Sequence, residues 1–128
     1  VALISLVVGS VGIMNTMYTS VLERTKQIGV MKAIGASSEA VLSLFLIESG
    51  LIGFVGGIFG IIFGVLSAYI IGLIADSYGI RGLFSFGSLD LFGFAVILII
   101  TFITGILSGA LPALRAAKME PAEALRYE

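Results

Sequence analysis

The sequence predicts an all-α integral membrane fold: three transmembrane helices, with one short cytoplasmic helix between the first and the second. Of its 128 residues, 59% are apolar and only 12% charged, against about half and about a quarter in soluble domains. Residues 1–22, 49–75 and 91–114 form uncharged runs of 22, 27 and 24 residues. Each meets the roughly 20 residues needed to cross a hydrocarbon core of about 30 Å. Arg24, Lys26 and Lys32 fall in the first connection and Arg115, Lys118 and Arg126 in the tail, whereas Arg81 stands alone in the second connection. That bias places residues 23–48 and 115–128 in the cytoplasm and residues 76–90 outside.

Composition also excludes several function classes. A formal charge of −1 provides no basic field for a nucleic-acid backbone. Without Cys or His, the chain lacks disulfides, thiolate nucleophiles, imidazole bases and the usual transition-metal ligands. The length suits a single folding unit over residues 1–128, with no space for a separate ATP-hydrolysing or substrate domain. The chain opens on Val1 inside an apolar run, with no basic n-region or small-residue cleavage site. That start reads as the cut end of a longer polypeptide and not as a signal peptide.

Along the first span, Gly12, Thr16 and Ser20 recur every four residues, and Asn15 is its one amide. In the connection that follows, Ile28, Met31 and Ile34 recur every three residues with Val30 beside them, while Lys26, Gln27 and Lys32 are polar. The pattern predicts a two-turn amphipathic helix. Gly35 is placed to end it as a C′ residue, and Ser37 or Ser38 to cap the next helix, with Glu39 near that helix's positive end. Two roles fit this short helix: a connector held to anionic lipid by Arg24, Lys26 and Lys32, or a docking element for a partner.

The middle run would measure about 40 Å as a helix, so it must tilt or protrude. Gly56, Gly60, Gly64, Ala68 and Gly72 recur there at four-residue spacing. Such a stripe lets another backbone approach closely, within this chain or at a subunit interface. Glu48 precedes the run and lies about 15 Å along a helix starting near Ser38, at headgroup depth, suited to an interfacial or intersubunit polar contact or to a coupling role. The outer connection combines Gly79, Gly82 and Gly87 with Tyr78, Phe84 and Phe86, a short aromatic turn at the membrane surface. In the last span Gly105, Gly109 and Ala113 form a shorter small-residue stripe, and Pro112 is expected to kink or end the helix. Pro121 and Glu123 then suit the first turn of a terminal helix, although the tail also reads as a solvated end.

No phosphate-binding loop, dinucleotide fingerprint or nucleophilic-serine motif is present, so any energy source must be supplied by another protein. The spans carry neither the buried charges nor the paired breaks of a self-contained solute carrier.

Glu23-Arg24-Thr25-Lys26-Gln27-Ile28-Gly29-Val30, followed by Lys32-Ala33-Ile34-Gly35-Ala36, resembles the signature of FtsX-like ABC permeases, in particular the macrolide-exporter and lipoprotein-release branch. Phe45-Leu46-Ile47-Glu48, Gly56-Gly57 and the stretch from Pro112-Ala113-Leu114-Arg115 through Glu120-Pro121 to Arg126 resemble further family segments at matching spacing. Gln27 and Glu120 depart from the family's usual Glu and Asp.

The resemblance implies a permease with no catalytic residues, metal or cofactor of its own, working in the cell (inner) membrane as a homodimer or paired with a homologous permease. It implies docking on ABC ATP-binding subunits, which would bind the ATP, through a coupling helix that includes Arg24, Lys26, Ile28, Met31, Lys32, Ile34 and Gly35. It implies mechanotransmission, in which ATP-driven motion reaches an extracytoplasmic domain for export or substrate release. That domain and a first membrane helix are expected ahead of Val1. Gly56, Gly60, Gly64, Ala68, Gly105 and Gly109 remain helix-packing or dimer residues, and Glu48 a polar contact. Two alternatives stay open: a family member that regulates cell-wall hydrolases, and a small structural membrane protein that only oligomerises.

Overall fold

A computed structural model describes residues 1–79 and 91–120. Four helices follow in chain order: α1 (Ala2–Glu23), α2 (Thr25–Ala33), α3 (Ser38–Ser77) and α4 (Leu91–Lys118). No strand occurs among the described residues. Three of the helices, α1, α3 and α4, are long and apolar enough to cross a membrane. The aromatic connection from Ile80 to Asp90 and the terminal helix expected from Pro121 lie outside the described residues.

A single turn residue, Arg24 at φ −99° and ψ 12°, separates α1 from α2. Arg24 N–H donates to Ser20 O and Ile28 N–H to Arg24 O, both at 3.0 Å. The Thr25 hydroxyl donates to Leu22 O at 2.8 Å and to Val21 O at 3.1 Å. A hydroxyl competing for carbonyls one turn back is a recognised cause of helix bending.

Beyond Ile34, the chain reverses through a tight C-terminal motif. Gly35 takes φ 104°, its N–H donates to Lys32 O at 3.1 Å, and Ala36 N–H donates to Met31 O at 3.0 Å. These are the two bonds of a Schellman ending, whose C′ position favours glycine because a side chain there is strained. Ser37 then caps α3, its hydroxyl accepting from Ala40 N–H at 3.2 Å. The 40 residues of α3 span about 60 Å, roughly twice the hydrocarbon thickness. Pro112 lies inside α4 and does not end it.

Two packing regimes hold the helices together. At the end that carries Arg24, Lys32 and Arg115, Met17 and Val21 of α1, Ile28 of α2, Val41 and Phe45 of α3, and Ala113 and Ala116 of α4 form the buried cluster. Farther along, α3 and α4 form the most extensive helix pair, with small residues at the points of closest approach. A methyl group added at Gly53 would collide with the Thr101 carbonyl oxygen, one at Gly57 with the Thr101 hydroxyl, and one at Gly105 with the Ser49 carbonyl oxygen.

The stripe that α3 uses here is therefore Ser49, Gly53 and Gly57. On the adjacent stripe, a Cβ added at Gly56, Gly60 or Gly64 meets nothing within 4 Å. Neighbouring helix positions point about 100° apart, so only one of the two stripes faces α4. Gly56 and Gly60 line an open cleft of about 380 Å³ whose walls also include Gly9, Ile13, Gly53, Gly57 and Ile97. Ala68 is half-buried on α3, and Gly105 and Gly109 lie buried on the α4 side of the seam.

Candidate functional site

Every basic residue of the described chain lies on the connection from α1 to α3 or at the end of α4, and the site is built around α2 at that end. At about 100° per residue, Ile28, Met31 and Lys32 share one face of α2, while Lys26, Val30 and Ile34 share the opposite one. Ile28 is 0% exposed within the cluster, and Met31 packs against that cluster. Val30 is 47% and Ile34 82% exposed, and Lys26 and Gln27 are exposed beside them.

This corrects the expectation that Ile28, Met31 and Ile34 present one apolar face. A three-residue spacing drifts by about 60° per step, so Ile34 has turned about 120° from Ile28 and faces away from the bundle. The apolar residues of α2 therefore serve two surfaces: Ile28 and Met31 fasten the helix, and Val30 and Ile34 are presented outward.

Three polar ties join the helices at this end. Arg24 pairs with Glu48 at 3.3 Å, with the side chains 49% and 31% exposed, and so links the α1–α2 joint to α3. Arg115 of α4 donates to the Tyr18 hydroxyl at 2.9 Å, with its guanidinium 5.1 Å from the centroid of that ring. The Lys32 ammonium donates to the carbonyl oxygen of Ala117 and, at 2.9 Å, to that of Met119, joining α2 to the end of α4.

Sequence reasoning placed Glu48 near the surface but assigned it no partner, and it did not find Tyr18. Arg115 and Tyr18 are 97 residues apart, and no local pattern relates them. Among the described residues, no group of three or more acidic side chains could hold a metal ion. Nor does the site juxtapose a nucleophile with a base. What it joins is helices: α2, buried on one face and exposed on the other, is tied to α1, α3 and α4 at one end of the bundle.

Comparison with known proteins agrees with that architecture. Residues 1–121 match the FtsX-like permease C-terminal family model. The whole chain aligns with an uncharacterized ABC transporter permease of Methanocaldococcus jannaschii at 44% identity, covering 32% of that protein. It aligns in full with the macrolide export ATP-binding/permease protein of Bdellovibrio bacteriovorus at 46% identity, covering 18% of it. A third full-length alignment, at 40% identity, is with an uncharacterized ABC transporter permease of Bacillus subtilis, of which the chain covers 30%. The chain thus spans about a third or less of each of these relatives.

Proposed function

Since the chain belongs to the FtsX-like permease C-terminal family of ABC transporter permeases, a family of multi-pass membrane proteins, we propose that α2 is the element through which an ATP-binding partner drives the spanning helices. The observation that carries this reading is the division of α2 into two faces. Ile28 is fully buried in the bundle, while Ile34 is 82% exposed with Val30 and Lys26 beside it. A helix pressed at its outer face passes the displacement on only if its inner face is fixed.

Here the inner face is fixed three ways: by the one-residue joint to α1 with its Arg24 backbone bonds, by the Ile28 and Met31 contacts, and by Lys32 on α4. The basic end is then cytoplasmic, in keeping with the placement of basic residues. The work done is mechanotransmission toward an extracytoplasmic part of the full protein, for export or substrate release. The ATP is bound by the partner, and this chain contributes no catalytic group. Two such permeases, identical or homologous, form the working unit.

Helix-in-groove contacts concentrate binding in a few apolar anchors, so removing the Ile34 side chain costs about 2 kcal/mol of partner affinity. A photo-crosslinking residue at position 34 of the full-length permease tests this, with one at lipid-exposed Leu107 as control. The expected product is a cross-link from position 34, and not from 107, to an ATP-binding polypeptide, with loss of permease-stimulated ATP hydrolysis in Ile34→Asp. Cross-linking of position 34 to lipid alone, with hydrolysis unaltered in Ile34→Asp, would make α2 a connector held at the headgroups.

A further inference from the structure

The Lys32 side chain points away from the exposed face of α2 and ends on two main-chain carbonyls of α4, those of Ala117 and Met119. The last carbonyls of a helix lack intrahelical donors and carry its negative end, so a cation there is stabilising. Ala117 is buried, and a buried carbonyl left without a donor is costly.

One of these carbonyls cannot be satisfied by continuing the helix. The donor to Ala117 O in an α-helix would be the N–H of residue 121, and residue 121 is proline, which has none. Ala116 O, one residue earlier, is met by the Met119 N–H at 3.3 Å. Lys32 thus supplies from α2 a donor that the α-helical ladder of α4 lacks at this position. Among the described residues, Lys32 has no ion-pair partner that would draw it elsewhere.

We propose that Lys32 is a positioning residue, clamping α2 to the end of α4 so that displacement of α2 is delivered to the α3–α4 pair. The route is contiguous. From Lys32 the displacement enters the α4 terminus, and from α4 it crosses the seam, where Gly53 and Gly105 bring backbone against backbone and Gly57 lies against the Thr101 side chain. The Arg24–Glu48 pair is half-exposed and gives a softer link to α3. The role rests on the coupling reading of α2, but the clamp itself does not.

The test uses the full-length permease with its ATP-binding partner in lipid nanodiscs, with any cysteines outside these residues replaced. Nitroxide labels at Gln27 and Leu114, both exposed, report the spacing of α2 and α4. Lys32→Met is expected to broaden that distance distribution and to lower permease-stimulated ATP hydrolysis at least about fivefold, with partner affinity unchanged. Lys32→Arg, which keeps a cationic donor, restores both. An unchanged distribution in Lys32→Met would overturn the clamp. Loss of partner affinity matching that of Ile34→Asp would overturn the positioning role by making Lys32 a partner contact. If the unaltered permease stimulates no hydrolysis, it is the coupling reading that fails, and the distance measurement still decides the clamp.

Discussion

Replacing Gly53 by alanine tests the α3–α4 seam against the stripe that the sequence makes most conspicuous. The added Cβ would collide with Thr101 O and lie 3.1 and 3.2 Å from the Gly105 Cα and N atoms. All three neighbours are backbone, so no rotamer change relieves the contact and the two helices must separate by about 1 Å. A gap of that size forfeits a quarter to a half of each dispersion contact along the seam, and overpacking of this kind typically costs about 1–3 kcal/mol. Alanine returns up to about 1 kcal/mol of helix propensity, leaving a net loss of up to about 2 kcal/mol.

The matched control is Gly60→Ala, whose Cβ meets nothing within 4 Å and which retains the propensity gain without the clash. The propensity gain is common to both, so the two variants should differ by the overpacking cost of about 1–3 kcal/mol, or roughly 5- to 150-fold in the unfolding equilibrium. Reversible unfolding by dodecyl sulfate in mixed micelles, followed by circular dichroism, measures this difference. Equal midpoints for the two variants, or a lower one for Gly60→Ala, would refute the assignment of the seam to Gly53, Gly57 and Gly105.

Arg24→Gln breaks a half-exposed ion pair and should lower stability by less than about 1 kcal/mol; a loss above about 2 kcal/mol in the same unfolding assay would mean that the joint depends on it. Gly35→Ala forces a side chain onto φ 104° and should cost at least about 1 kcal/mol, visible as faster hydrogen exchange at the Ala36 amide that closes the turn. For topology, a cysteine at Gln27 should resist a membrane-impermeant maleimide in intact cells and react after permeabilisation, whereas one at Ser85 should react in both. The reverse pattern would invert the chain in the membrane.

The three spans, the bend-to-cap connection and the reversal at Gly35 were legible from sequence because their causes are local. Span length is set by uncharged runs, the Schellman ending by the glycine at position 35, and the α3 cap by Ser37, three residues before the Ala40 N–H that donates to its hydroxyl. The family was legible for a related reason, since its motifs are short strings at fixed spacing.

Which faces of these helices meet was decided only in three dimensions. In a soluble protein apolar residues mark the inward face, but a lipid tail is as apolar as leucine, so hydrophobicity does not separate core from surface in a spanning helix. Gly56, Gly60 and Gly64 thus looked like a contact stripe, yet within this chain a Cβ at any of them meets nothing, while the adjacent Gly53 and Gly57 touch α4. Ile28 and Ile34 are both apolar, and only the docking of α2 onto Met17, Phe45 and Ala113 turns one inward and leaves the other exposed. Arg115 on Tyr18 and Lys32 on the end of α4 join groups 97 and more than 80 residues apart. The sequence by itself determined that these cations would gather at one end of the bundle, because charge is excluded from hydrocarbon. Their partners followed from how the helices pack, which depends on contacts between distant segments that no short window of sequence contains.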